Sequence, residues 1–199
     1  MRILIVQLSD IHCNKREPGS TAKIEGAVAA LKTLGQFNGV ILVCSGDLTN
    51  TAAQNEYKFG KHIMGKFLSL LGKTFDCGWI PTLIVPGNHD MVLSEQDRDI
   101  HTILKWNKEE HLQEELARME DFFEYANSKN CFREDRICDN RILEMAGLKI
   151  QCCLLNSAPF STRQPDDKQV HFLPERIQNQ LYRAETCDLK ITVMHHSYE

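Results

Sequence analysis

The amino-acid sequence predicts an α/β fold built around a parallel β-sheet. Short apolar runs alternate with stretches of helical periodicity, in the order strand, helix, strand, helix and strand. Each of four apolar runs leads, within four residues, into an Asp, Asn or His side chain. Because open α/β sheets bind their ligands beyond the carboxyl ends of the strands, this repeated pattern predicts one shared site.

The strands with this pattern are short and rich in β-branched residues, as expected for buried strands. Residues 3–6 precede Asp10 and His12, residues 40–43 precede Asp47, residues 83–85 precede Asn88, His89 and Asp90, and residues 190–194 precede His195 and His196. Pro86 and Gly87 break the third strand just before its polar residues. A rigid strand that ends in a glycine turn holds such side chains at the edge of the sheet.

Two amphipathic helices are predicted between the first three strands. The first extends from Thr21, which could cap it, to about Leu34. The second extends over about residues 56–71. The two apolar stripes consist of Ile24, Ala27, Val28 and Leu31 in the first helix, and of Phe59, Ile63, Phe67 and Leu70 or Leu71 in the second.

The pattern changes after the third strand. Residues 94–129 are the most charged part of the chain, and we expect one or two amphipathic helices there, in an insertion at about residues 92–135. Their apolar face would consist of Leu112, Leu116, Met119, Phe123 and Ala126. Residues 141–155 predict a β-hairpin that turns at Ala146 and Gly147, and Pro174 suits the first turn of a helix that runs through Arg183.

The composition indicates a globular protein without a strongly basic surface. The chain has 199 residues, 23 of them basic and 27 acidic, so non-specific binding to nucleic acid is not indicated. The eight cysteines form no CxxC pair, and several lie in apolar strands as small hydrophobic residues. The chain starts on a strand without a signal-peptide pattern, and no apolar stretch reaches the roughly 20 residues that span a bilayer. We therefore expect a cytoplasmic protein with reduced thiols and no membrane partner.

The predicted site is rich in oxygen and nitrogen ligands and contains no cysteine. Carboxylate, amide and imidazole groups suit Mn, Fe, Co or Zn ions. A structural zinc site is typically lined by thiolates instead. A single Asp oxygen can bridge two cations and offset their repulsion. Two ions roughly 3.5–4 Å apart can clamp a phosphoryl group and acidify a shared water.

The motifs resemble the ordered signatures of the calcineurin-like metallophosphoesterases. The matching segments are Asp10-Ile11-His12, Gly46-Asp47, Gly87-Asn88-His89-Asp90 and the strand-borne His195. The resemblance extends from residue 3 to residue 198 and implies a four-layer α/β/β/α sandwich. It also implies hydrolysis of a phosphoester at a dinuclear metal centre, where a hydroxide that bridges the metals attacks phosphorus in line.

This resemblance implies a role for each predicted metal ligand. Asp10 and His12 would bind the first metal ion, and Asp47 would bridge both ions. Asn88 and His195 would bind the second ion. The cofactors would be two divalent ions, with Mn, Fe and Zn as the candidates.

The resemblance also implies a catalytic pair. His89 would assist the leaving group as a general acid or charge stabiliser, and Asp90 would orient its imidazole. Phosphodiester and phosphomonoester substrates fit the motifs equally well, and nucleotides or nucleic acids are allowed but not indicated. The alternative is a non-catalytic regulatory or protein-binding module that retains the fold, although such a module has no need to keep the proton donor His89.

One family signature is absent from this sequence. In the family, Gly-His-x-His follows the strand that carries the equivalent of His195 and completes both metal shells, whereas this sequence stops at Glu199. We therefore expect residues 1–199 to form a C-terminally truncated domain that lacks one histidine ligand for each metal. It would be either a fragment or a naturally short chain, and the missing C-terminal part of the same protein would be its partner.

Overall fold

The computed structural model of this chain describes residues 2–13, 20–93, 108–161, 177–178 and 186–196. Within these ranges, six strands form two three-stranded sheets, and four α-helices accompany them. The predicted α/β class is confirmed, and the two sheets agree with the sandwich that the family resemblance implies. The single-domain organisation and its C-terminal truncation stay predictions.

The first sheet consists of three parallel strands. They are β1 (Ile3–Leu8), β2 (Gly39–Ser45) and β3 (Thr82–Val85), in the order β1-β2-β3. Every residue of β2 is buried, as expected for the central strand of a parallel sheet that is covered on both faces. Leu8 pairs with Cys44, and Ser45 pairs with Val85, so the three strands end at nearly the same level. The loops that follow them therefore start side by side.

Helices α1 (Ser20–Lys32) and α2 (Gln54–Phe75) connect these strands and contact each other. Both predicted helices exist, but α1 begins one residue before Thr21, and α2 is longer than predicted at both ends. Ile24 and Val28 are buried as predicted, whereas Ala27 is exposed and the prediction for it was wrong.

Two glycines of α2 differ in their surroundings and allow a matched test of stability. A Cβ atom at Gly65 would meet nothing within 4 Å, whereas a Cβ at Gly60 would lie 3.0 Å from Cγ of Leu48. We expect Gly65→Ala to raise the free energy of unfolding by about 0.5–1 kcal/mol, because alanine loses less backbone entropy in a helix. Gly60→Ala should gain less or be destabilising, because Leu48 has to move. Equal stabilisation of both variants in urea unfolding would contradict this packing.

The charged region forms two further helices, α3 (Lys108–Ala117) and α4 (Glu120–Asn127). All five residues of the predicted apolar face are buried. They are Leu112, Leu116, Met119, Phe123 and Ala126. Helix α4 contacts α2, so this region packs on the first half of the chain. Residues 94–107 lie outside the described residues, and the extent of the predicted insertion stays a prediction.

The second sheet contains β4 (Cys138–Met145), β5 (Leu148–Leu155) and β6 (Leu189–Val193). The hairpin of β4 and β5 is confirmed, and Ala146 and Gly147 both have positive φ, as a type I′ turn requires. Strand β6 pairs with β5 in parallel, so the strand that precedes His195 belongs to this sheet and not to the first. The helix predicted from Pro174 lies outside the described residues except for residues 177–178.

The two sheets share one apolar core. Buried residues of the first sheet, such as Ile84, belong to the same cluster as Ile150 and Val193 of the second sheet. Strand β3 contacts β5 directly. Among the described helices, none combines the length and the apolar character needed to cross a membrane.

Candidate metal centre

The first two motifs are joined by backbone hydrogen bonds beyond the ends of β1 and β2. The Asp10 N–H donates to the Gly46 carbonyl at 3.1 Å, and the His12 N–H donates to the Asp47 carbonyl at 3.0 Å. The Cys13 N–H continues the series to the Leu48 carbonyl at 2.9 Å. The loop that carries Asp10 and His12 is therefore held along the loop that carries Asp47.

The third motif is joined to the second through Asp47 itself. The backbone N–H of His89 donates to Oδ1 of Asp47 at 2.9 Å. The hydroxyl of Thr49 donates to the carbonyl of His89 at 3.0 Å. These bonds place the polar turn after β3 against the loop after β2.

The fourth motif comes from the second sheet. Nδ1 of His195 lies 2.9 Å from the Ser45 carbonyl, and since a carbonyl only accepts, this nitrogen is the donor. Nε2 is then left with its lone pair, 3.5 Å from Oδ2 of Asp47. Metal-binding histidines are oriented in this way, with one ring nitrogen bonded to a carbonyl and the other free for the ion.

Two groups of ligand atoms meet at Asp47. His12, Asp47 and His89 form one group, and Asp10, Asp47 and His195 form the other. In each group the ligand atoms lie within 4.8 Å of one another. The shared Asp47 is buried, whereas the Asp10 side chain is 58% exposed. A carboxylate common to two ligand groups has the position that a bridging ligand requires.

The family of this chain follows from its sequence as a whole. The sequence model of the calcineurin-like phosphoesterases matches residues 3–199. The chain belongs to the calcineurin-like phosphoesterase family. A search of curated proteins gave no match. Membership confirms the resemblance and supports metal-dependent phosphoester hydrolysis in general, in a family whose members usually bind divalent metal ions.

The ligand chemistry of this phosphoesterase fits such ions. Nε2 of His12 lies 3.8 Å from Oδ1 of Asp10 and 3.7 Å from Oδ2 of Asp47, so both carboxylates face imidazole nitrogens. Among the described residues, no Lys or Arg forms an ion pair with Asp10 or Asp47. Two neighbouring carboxylates without a basic partner favour a bound cation.

The backbone at three of these residues is unusual. Asp10, His12 and Asp47 have φ values of 54°, 47° and 54°, in the left-handed region that residues other than glycine seldom adopt. Such residues persist where the surrounding structure holds them, and they concentrate at functional sites. In this phosphoesterase, the hydrogen bonds between the first two loops hold all three ligands in that conformation.

Two motif glycines leave room for the ligands. A Cβ at Gly87 would overlap Oδ1 of Asp47 and lie 2.8 Å from its Cγ. A Cβ at Gly46 would overlap the His195 ring and lie 2.6 Å from its Cγ. These glycines therefore allow the close approach of backbone to ligand side chains.

The Asp90 carboxylate forms no hydrogen bond with the imidazole of His89. The carboxylate accepts the N–H groups of Leu48 (3.2 Å), Thr49 (2.9 Å) and Gly87 (3.1 Å). Burial raises the pKa of the Asp90 carboxyl, and the bonds from Gly87 and Thr49 partly oppose that rise. The structure therefore corrects the predicted role of Asp90, because its carboxylate joins the second and third loops and leaves the imidazole to another partner.

That partner is the backbone carbonyl of Asn50, which lies 2.7 Å from Nδ1 of His89. Sequence reasoning missed it because any residue can supply a carbonyl. Neighbouring side chains in the tight turn Asn88–Asp90 point in different directions, so the Asp90 carboxylate does not lie beside the His89 ring. Asn88 is half-buried, and within the described parts of the chain its side chain makes no hydrogen bond. Its role as a ligand stays a prediction.

His196 lies beside the centre but faces a different partner. Its Nδ1 is 2.9 Å from the hydroxyl of Ser157, and its ring packs edge-on against His195. Burial and the neighbouring His195 lower the pKa of His196, which favours the neutral ring. The contact with Ser157 joins the end of β6 to the residues that follow β5.

Proposed function

We propose that this phosphoesterase hydrolyses a phosphoester with two divalent metal ions that share Asp47. The observation that carries this proposal is the pair of ligand groups that meet at that buried carboxylate. Mn, Fe and Zn all suit the mixture of carboxylate and imidazole ligands. When bound, such ions would stabilise charge on the phosphoryl oxygens and lower the pKa of an attacking water.

The ligands divide between the two ions as follows. From the family resemblance, Asp10 and His12 are proposed for the first ion, and Asn88 and His195 for the second. This division differs from the two groups in the structure, where Asp10 lies with His195 and His12 lies with His89. The hydrogen bond from His195 to the Ser45 carbonyl fixes the ring so that Nε2 faces Asp47. The Gly-His-x-His signature of the family would add one histidine to each shell.

His89 is proposed as the proton donor to the departing oxygen. Its backbone N–H is bonded to Asp47, and its Nδ1 donates to the Asn50 carbonyl. Nε2 is therefore the nitrogen available for proton transfer. Although His89 belongs to one of the two ligand groups, this proposal makes it a proton donor and not a metal ligand. A positioned general acid of this kind contributes roughly 10²–10⁴-fold to a rate.

The test measures hydrolysis of bis-p-nitrophenyl phosphate and p-nitrophenyl phosphate with added Mn²⁺, Fe²⁺ or Zn²⁺, and again after chelation. We expect metal-dependent activity that is lost on chelation, and a decrease of about 10²-fold or more in His89→Ala. His62→Ala, an exposed histidine of α2, is the matched control and should retain wild-type activity. The ratio of the two substrates distinguishes a diesterase from a monoesterase.

Equal activity of all variants with and without metal would contradict the proposal. If that equal activity is only the metal-independent background rate, it would instead support the non-catalytic regulatory or protein-binding module.

A further inference from the structure

Glu56 is a buried carboxylate in the first turn of α2, outside the predicted site. It is 5% exposed, and among the described residues no Lys or Arg forms an ion pair with it. Its Oε2 instead accepts three backbone N–H groups, from Asn50 (3.1 Å), Thr51 (2.8 Å) and Ala53 (3.4 Å). A buried charge is costly unless it is hydrogen-bonded, so these three bonds explain how Glu56 is tolerated.

Helix capping accounts for only one of these bonds. A Glu at the third position of a helix commonly reaches back to the N–H of the capping residue, which is Ala53 here. That bond is the longest of the three, and the methyl group of Ala53 cannot complete the reciprocal half of a capping box. The two shorter bonds go to Asn50 and Thr51, which precede the cap. Glu56 therefore holds the loop more closely than it holds the helix end.

The same loop holds the imidazole of His89. The Thr51 N–H and the Asn50 carbonyl belong to one planar peptide unit. The N–H of this unit donates to Glu56 at 2.8 Å, and its carbonyl accepts the Nδ1 proton of His89 at 2.7 Å. Because the peptide is rigid, a bond on one side fixes the direction of the group on the other side. Hydrogen bonds in such a chain also strengthen one another.

We propose that Glu56 is a positioning residue for His89, acting through the Asn50–Thr51 peptide. This inference rests on the proposed function, because it concerns the proton donor of that reaction. With the peptide held, the carbonyl receives Nδ1–H, and Nε2 is presented to the oxygen that leaves phosphorus. Without Glu56, the peptide is free to rotate and the ring loses its fixed orientation.

If Glu56 only capped the helix, a different result would be expected. Its loss would lower the stability and reduce the hydrolysis of all substrates by a similar factor. Loss of a positioned proton donor affects a poor leaving group most, because a good leaving group departs without protonation. The dependence on the leaving group therefore separates the two roles.

The experiment compares wild type, Glu56→Ala and Glu56→Gln on p-nitrophenyl and phenyl esters of the phosphate class that the enzyme hydrolyses. For Glu56→Ala we expect kcat to fall by about 10- to 100-fold on the phenyl ester and only a few-fold on the p-nitrophenyl ester, with KM unchanged. Glu56→Gln should recover most of the loss, because its carbonyl oxygen can still accept the Thr51 N–H. If Glu56→Ala does not fold, Glu56→Asp replaces it, since it keeps the charge but shortens the reach.

The control is Asp188→Ala, which removes another carboxylate that accepts a backbone N–H. Asp188 bonds to the N–H of Lys149 at 2.8 Å and precedes β6, whose other end leads to His195. We expect both esters to be affected equally by this change. In a His89→Ala background, Glu56→Ala should cause no further selective loss on the phenyl ester, because the two residues act as one unit.

Equal losses on both esters, or losses that add in the double variant, would overturn the proposal. A second measurement does not depend on turnover. Nitrogen NMR of the His89 ring should show a protonated Nδ1 in wild type and exchange between ring states in Glu56→Ala. An inactive wild type would refute the proposed function, whereas an unchanged ring signal in Glu56→Ala would refute the positioning role.

Discussion

Asp47→Asn is expected to remove both metal ions and to lower the activity by at least about 10³-fold. The asparagine keeps the size of the side chain and an oxygen for the His89 N–H, but it loses the charge and one of the two ligand oxygens. Asp47 is the only residue common to both ligand groups among the described residues. Bound metal ions would supply several kcal/mol of transition-state stabilisation, and each 1.36 kcal/mol corresponds to a tenfold change in rate.

Two further aspartates make this prediction specific. Asp10→Asn affects only one ligand group, so we expect it to weaken one ion and leave the other bound. Asp139→Asn changes a half-buried carboxylate that accepts the N–H of Phe132 outside the centre, and it should leave metal binding unchanged. Metal content after dialysis and calorimetric titration measure these differences. A wild-type metal content in Asp47→Asn would show that Asp47 does not bridge the ions.

The strands and their polar termini could be predicted because both signals lie close together in the sequence. A buried β-branched run identifies a strand of the first sheet, and the polarity of a parallel sheet then places Asp10, Asp47 and Asn88 at one edge. The hairpin could be predicted equally well, because its turn carries Ala146 and Gly147 between two apolar runs. The apolar face of α3 and α4 followed from helical spacing alone.

The parts that could not be predicted depend on contacts between distant segments. Nothing in residues 189–193 shows that β6 pairs with β5, because an apolar strand can join either sheet. The carbonyls of Ser45 and Asn50 orient His195 and His89, yet a backbone carbonyl has no sequence signature. Asp90 shows the same limit, since its place beside His89 in the motif favoured a contact with the ring. In the structure, its carboxylate instead accepts N–H groups of the neighbouring loops.

Main-chain hydrogen bonds also fix the conformation of the centre. Asp47 has a positive φ, its backbone carbonyl accepts the N–H of His12, and its Oδ1 accepts the N–H of His89. The shared ligand is thus fixed by main-chain bonds to the first and third motifs. A site fixed in this way depends on the space around Asp47 as much as on its charge. Gly87, the glycine of the third motif, provides that space.

Gly87→Ala is therefore expected to abolish activity although it changes no ligand. The new Cβ would overlap Oδ1 of Asp47 and would lie 2.6 Å from its backbone nitrogen, so the carboxylate has to leave its position. The φ of Gly87 is −107°, which alanine also adopts, so the collision and not backbone strain causes the effect. Overpacking of this kind lowers the free energy of unfolding by about 1–3 kcal/mol.

Metal content, activity and urea unfolding of Gly87→Ala test this collision. Gly65→Ala controls for the change from glycine to alanine, because its methyl group enters open space and should be stabilising. In an Asp47→Asn background, Gly87→Ala should lower the activity no further, since the shared ligand is already lost. A folded Gly87→Ala variant with both ions bound and wild-type turnover would show that the observed position of Asp47 is not required. That result would refute the bridging role of Asp47.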